Sequence, residues 1–213
     1  MINATMMTVN LFGENLYILW DDKTRDAVVV DPGMMRDAER EMVTNFIEGQ
    51  HLNVQHILLT HMHIDHITGA RWLAGQTGAD VCGSPYDAQL GLELPEQVAQ
   101  FHLKIECEPL VIDRELQDGD MIPLGDELIQ VLHVPGHSPG GLAFYLPQSA
   151  LLISGDTIFN GSVGRTDLMG GDMAQLINSI HEKILPLPDE TVIASGHGPT
   201  TTIADEKRMN PFL

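Results

Sequence analysis

The sequence predicts an α/β protein in which β-sheets pack against each other and helices lie outside them. Three observations carry this. Apolar runs of strand length outnumber helical periodicities, the helices are interspersed among the strands, and four apolar runs lead within a few residues into a histidine or an aspartate. At 213 residues the chain can bury a core of two or three layers, and 43% apolar with 19% charged residues is the composition of a folded protein.

MTVNLF (7–12), NLYILW (15–20) and DAVVVD (26–31) read as a strand meander, separated by the turn-formers GEN and DDKT. After DPG a helix is expected from about Met35 to Glu48, with Ala38, Met42 and Phe46 four apart on one face. QHILLT (55–60) is a strand, HITGARWLAGQTG (66–78) has helical spacing up to Gly78, and DVCGSP (80–85) is a short strand. An acidic, helix-prone stretch runs to about Leu103. Strands ECEPLVI (106–112), ELIQVLHV (127–134), LAFYLP (142–147) and ALLIS (150–154) come next. A helix from Met173 to Leu185 puts Leu176, Ile177, Ile180 and Ile184 on one face, and TVIAS (191–195) is the last strand. No repeat or low-complexity linker interrupts this order, so one domain over residues 1–213 is expected.

A formal charge of −19 works against nucleic acid or an anionic membrane surface as partner, because both would be repelled. The same charge would repel an anionic small substrate unless bound cations offset it. No apolar run reaches the length of a membrane span. The first residues carry no basic leader and no apolar signal core, Lys23 being the first lysine. Cys82 and Cys107 lack any ligand-type spacing and are expected as free thiols. A cytoplasmic protein, monomeric or weakly dimeric, is the expectation.

THMHIDH (60–66) crowds three histidines and an aspartate behind the strand QHILLT. The pattern recurs: ELIQVLHV is followed by PGHSPGG with His137, ALLIS by GDTIF with Asp156, and TVIAS by GHGP with His197. Gly136, Gly155 and Gly196 stand immediately before these residues, which fits a backbone that turns sharply or approaches something closely. Ligands outside the carboxyl ends of strands are where α/β architectures gather their sites. His61 and His63, two apart on an extended segment, point the same way, while Met62 and Ile64 point to the core. Asp65 and His66 follow as the chain turns into a helix. Five histidines and two carboxylates exceed one tetrahedral zinc and suit two metals sharing a carboxylate. His51, His56, His102, His133 and His181 lack this context and read as surface or ordinary core residues. Met, Phe and Tyr residues read as core filling.

HxHxDH, the segment GDTIFNGSVGRTDLMGGD (155–172) and the terminal GHGPTTTIADEKRMNPFL resemble the metallo-β-lactamase superfamily along essentially the whole chain, and within it the single-domain bacterial type II glyoxalase-like hydrolases. The resemblance implies an αββα four-layer sandwich. It implies that His61, His63 and His137 hold one divalent metal, that Asp65, His66 and His197 hold the other, and that Asp156 bridges them, with zinc first among the metals and iron or manganese as alternatives. Zinc β-lactamases of the family lack the bridging carboxylate that Asp156 supplies here. Full-length glyoxalases II continue into a helical region that helps hold glutathione, whereas this sequence stops at Leu213.

The implied activity is hydrolysis of a glutathione-type acyl thioester, a small-molecule substrate, by metal-activated hydroxide, with Asp65 also the candidate catalytic residue. HITG and GRTD resemble persulfide dioxygenases of the same superfamily, which use one iron at the counterparts of His61, His137 and Asp156. A metal-binding regulatory module without turnover is the reading outside enzymes, and the complete ligand set speaks against it. Arg165, one of eleven basic residues, is the candidate anchor for an anionic substrate tail; a local ion pair with Asp167 is the competing reading.

Overall fold

A computed structural model describes residues 1–213. Two six-stranded sheets face one another. The first runs in the order β1 (Ile2–Val9), β2 (Glu14–Asp21), β3 (Asp26–Val30), β4 (Asn53–Leu58), β5 (Asp80–Gly83) and β6 (Arg114–Glu115). Its first three strands are antiparallel and β3 to β6 are parallel. The parallel half requires crossovers, and helices supply them: α1 (Asp37–Gly49) between β3 and β4, then α2 (Ile64–Ile67) and α3 (Ala70–Thr77) between β4 and β5. Beyond β5 come α4 (Ala88–Leu92) and α5 (Leu94–Gln100).

The second sheet contains β7 (Met121–Leu124), β8 (Glu127–His133), β9 (Leu142–Leu146), β10 (Leu151–Gly155), β13 (Val192–Ser195) and β14 (Thr201–Thr202), in the spatial order β14-β13-β10-β9-β8-β7. A small hairpin of β11 (Ile158–Phe159) and β12 (Ser162–Val163) and the helix α6 (Met173–Ser179) lie between β10 and β13, and α7 (Ile203–Met209) closes the chain.

Alternation along the strands builds three apolar layers. Tyr17, Leu19, Val28 and Val30 face Val131, Phe144, Leu146 and Ile153 across the gap between the sheets. Leu16, Ile18, Ala27 and Val29 point the other way, toward Val43 and Ile47 of α1 and Leu73 of α3. On the far side Leu152 and Ile193 meet Leu176 of α6, Ile180, Ile184 and Ile203 of α7. Helices therefore cover both outer faces, giving the four-layer αββα sandwich.

Several expected elements shift, each for a physical reason. β1 ends at Val9 because Asn10 adopts a left-handed conformation (φ 51°) and turns the chain. The helix expected over 66–78 is broken at Gly69, whose N–H donates to the Pro32 carbonyl (2.9 Å) while the Asp65 carbonyl accepts from Asn10 Nδ2 (2.8 Å). ECEPLVI is not a strand; only Leu110 of that stretch is buried, and pairing starts at Arg114. β7 went unanticipated because Pro123 sits inside it, a residue tolerated here because β7 is a sheet edge. The helix expected to Leu185 widens into a π-turn from Ile180 to Ile184. Both cysteines are free.

Phe144, fully buried in the inter-sheet layer, offers the simplest check on this packing. Phe144→Ala is expected to lower the unfolding free energy by about 3–5 kcal/mol, measured by urea titration of far-UV circular dichroism.

Candidate metal centre

The carboxyl ends of β4, β8, β10 and β13 converge at one edge of the sandwich. Hydrogen bonds between the sheets hold them there. Tyr17 Oη donates to the Ser195 carbonyl (2.7 Å), Asn15 N–H to the Gly196 carbonyl (2.7 Å), and Leu142 N–H to the Thr60 carbonyl (2.7 Å). Two glycines make the convergence possible. Gly155 has φ of 50° and leaves no room for a Cβ against Thr60 Oγ1 at 2.4 Å. At Gly196 a Cβ would stand 2.2 Å from Asp156 Oδ1 and 2.8 Å from His66 Cε1, inside the site.

All seven residues singled out in the sequence meet at this edge. His137 Nε2 lies 2.9 Å from His63 Nδ1 and 3.2 Å from His61 Nε2. His197 Nε2 lies 3.2 Å from Asp65 Oδ2, and His66 Nε2 is 3.8 Å from that same oxygen. Asp156 stands between the two groups, its Oδ2 3.6 Å from both His137 Nε2 and His197 Nε2. Donors around a tetrahedral cation with bonds of 2.0–2.1 Å are about 3.4 Å apart, so these spacings are those of ligand sets.

In four of the five histidines the other ring nitrogen is engaged. His61 Nδ1 bonds Thr60 Oγ1 (3.0 Å), His66 Nδ1 bonds Asp31 Oδ2 (2.9 Å), His137 Nδ1 bonds the Arg165 carbonyl (2.7 Å), and His197 Nδ1 bonds the Gly13 carbonyl (3.2 Å). In these four an acceptor on Nδ1 fixes the tautomer that leaves Nε2 a lone pair toward the cluster, whereas His63 faces it through Nδ1. His66 Nε2 and Asp156 Oδ1 are buried, face each other at 3.5 Å and have no hydrogen-bond partner. Orphaned buried atoms are costly alone and are satisfied by a cation. The residues fit two divalent metals.

Electrostatics prepares the donors. Burial, reinforced by the neighbouring imidazoles, holds His61 well below the ordinary histidine range and brings His63 to about 3, so both are neutral at pH 7. Burial would also discharge His66, but Asp65, Asp156 and Asp31 surround it and raise its pKa instead. Asp156 is pushed below the usual carboxylate range: burial acts upward and is outweighed by His66, His137 and His197. Neutral imidazoles and ionised carboxylates are the donor states that metals take, and a cation here would compete with the proton on His66.

Two further carboxylates went unrecognised in the sequence. Asp31, 1% exposed, accepts from Thr60 N–H (2.7 Å), Thr60 Oγ1 (2.5 Å) and His66 Nδ1, tying β3 to the HxHxDH loop. Asp87, fully buried, accepts from Met62 N–H (3.2 Å), Ser138 Oγ (2.7 Å) and Gly140 N–H (2.6 Å). It thereby fastens the loop of His61 and His63 to the loop of His137. The DPG motif hinted at Asp31; nothing local marks Asp87.

A cavity of about 450 Å³ opens over the cluster, with His63, Asp65, His137, Asp156 and His197 among its lining residues. Phe12, Phe101 and Met169 line it too, which corrects the expectation that such residues only fill the core. Arg165 stands at this cavity, and its Nε and Nη2 donate to Asp167 at 2.7 and 2.8 Å in an exposed ion pair.

Fold and site together define an αββα protein with a paired metal-ligand cluster between its sheets. The chain belongs to the metallo-beta-lactamase superfamily, whose sequence model matches residues 9–197. Hydroxyacylglutathione hydrolase GloC of Haemophilus influenzae is 39% identical over 214 aligned residues, covering 100% of this chain and 98% of that protein. Among solved structures, the BLEG-1 B3 metallo-beta-lactamase superposes with a TM-score of 0.89 at 36% identity, covering 99% of each chain. TTHA1623 in a di-iron-bound form gives 0.87 at 38% identity, covering 98% of this chain and 100% of that one. ETHE1 from Myxococcus xanthus gives 0.78 at 29% identity, covering 98% and 83%.

Asp87→Ala removes one acceptor from three donors without touching any of the seven clustered residues. Zinc affinity of the His61, His63 and His137 group is expected to fall about 10–100-fold, measured by competition with a chromophoric chelator. Affinity at the Asp65, His66 and His197 group should change far less.

Proposed function

We propose that this protein hydrolyses acyl thioesters of a small thiol carrier, of the hydroxyacylglutathione kind, at a two-cation centre. The observation that carries the reading is the pair of three-residue groups with Asp156 equidistant from a histidine of each. The likeness to GloC over the full chain supports the thioester. In this reading His61, His63 and His137 hold one cation, Asp65, His66 and His197 the other, and Asp156 reaches both. Mixed nitrogen and oxygen donors suit zinc, iron or manganese, with zinc our first choice.

When bound, two divalent cations bring the pKa of water toward about 7 and polarise a carbonyl oxygen. The chain's own residues do the remaining work. Ile64, Leu90 and Leu168 give the cavity apolar walls that shelter the scissile bond from bulk water. Asp65, ionised and lining the cavity, is the carboxylate placed to take the proton of the attacking water. Oxygen bonds to the carbonyl carbon, the C–S bond breaks, and sulfur departs as a thiolate. A thiol pKa of about 8.5 makes that departure easy without a general acid.

A second reading, an oxygenase with one iron, has a specific observation in its favour: His137 Nε2 is 3.2 Å from His61 Nε2 and 3.6 Å from Asp156 Oδ2. Against it stand Asp65 and His197, directed at the same cavity and only 3.2 Å apart. In a one-iron mechanism they would only support the site, and their replacement would cost about 10–100-fold.

Metal-reconstituted protein is expected to hold about two equivalents of divalent metal, read by elemental analysis. His197→Ala should bind about one fewer and lose thioester turnover on the order of 10³-fold or more, with its circular dichroism unchanged. Near-normal lactoylglutathione hydrolysis by that variant would remove the two-cation mechanism. Oxygen uptake with glutathione persulfide, without thioesterase activity in the unmutated protein, would transfer the assignment to the oxygenase.

A further inference from the structure

In the proposed function Asp65 holds a cation and takes a proton. Its carboxylate meets His66 and His197 and has no hydrogen-bond partner outside the cluster, so its position depends on its backbone. That backbone belongs to α2, a single turn that ends at Ile67. In a continuous helix the Asp65 carbonyl would accept from the N–H four residues on. That group, Gly69 N–H, donates to the Pro32 carbonyl instead.

Asn10, buried in the loop between β1 and β2, takes its place. Asn10 Nδ2 donates to the Asp65 carbonyl (2.8 Å) and to the Gly33 carbonyl (2.9 Å). Gly33 packs against the same Asp65 carbonyl too closely for a side chain to fit. Asn10 Oδ1 accepts from the N–H of Phe12 (2.9 Å), a wall of the cavity. The Asn10 N–H donates to Glu39 Oε1 (3.0 Å), and this buried carboxylate of α1 also accepts from Met35 N–H (2.8 Å) and Arg36 N–H (3.0 Å). One side chain thus joins the cavity wall, the loop after β3 and the Asp65 backbone. Few residue types could do this. The position has φ of 51°, which asparagine, aspartate and glycine tolerate best. Ionised aspartate offers acceptors without donors, and glycine has no side chain to offer.

We infer that Asn10 is a positioning residue for Asp65, aiming that carboxylate at His66 and His197 through its main-chain carbonyl. This rests on the two-cation reading and deepens it.

Zinc titration against a chromophoric chelator resolves the two bound equivalents, and Asp65→Asn marks the one that the carboxylate holds. Asn10→Gly keeps the left-handed backbone and the bond to Glu39. It is expected to weaken the marked equivalent about tenfold and leave the other unchanged, and to lower kcat for lactoylglutathione by about the same factor. In the Asp65→Asn background, Asn10→Gly should cost nothing further, because the carboxylate it positions is gone. Should Asn10→Gly fail to fold by circular dichroism, Asn10→Asp, which keeps the acceptor for Phe12, is judged by the same criteria. A loosened fold would weaken both equivalents alike, or its loss would multiply with that of Asp65→Asn. Either result, or unchanged zinc affinity, overturns the inference. Unmutated protein that binds a single equivalent brings down the two-cation reading and the inference with it. If it binds two and cleaves no thioester, the thioesterase reading falls alone, and the zinc titration still decides the role of Asn10.

Discussion

Five imidazoles and two carboxylates pressed together at the seam of two sheets are mutually repulsive or under-bonded unless something positive joins them. Buried donors a few ångströms apart normally cost stability. Here the surrounding fold is arranged to tolerate them. Outer ring nitrogens are tied to oxygen acceptors, glycines stand where a side chain would intrude, and the strands around the seam are apolar enough to carry the polar edge. Much of the architecture is intelligible as support for that one cluster. The crossovers of the parallel half put the β4 end beside those of β8, β10 and β13, and inter-sheet hydrogen bonds from Asn15 and Tyr17 lock the edges in register.

The seven clustered residues were legible in the sequence because they stand just beyond the ends of four apolar strands, and the layer order was legible because strands such as NLYILW are apolar on both faces, as a sheet covered twice must be. Elements were lost where tertiary context overrode local pattern. ECEPLVI has strand-forming residues but no partner strand, and β7 carries a proline that only an edge strand accepts. Asp87 was invisible for a different reason. Its role comes from contacts with Met62, Ser138 and Gly140, all distant in sequence, and an aspartate in a polar stretch carries no local mark. Phe12 and Phe101 were hidden likewise, since composition cannot distinguish an aromatic ring in a core from one at a cavity.

Arg165 shows that proximity to a cavity does not by itself assign a role. Position placed the residue correctly at the cavity, yet a neighbour two residues away takes up its charge. The balance of a site depends on which ions are already paired, and a sequence gives the inventory without the pairing.

Each three-residue group draws two members from the segment 61–66 that follows β4 and one from the opposite sheet, with about 70 residues of chain between His66 and His137. A cation held by such a group is a cross-link. It closes a long loop as a disulfide would, in a protein whose two cysteines are free. Metal loading and the cohesion of the two sheets would then be one equilibrium, and an ion held at the seam would also rivet the sandwich shut.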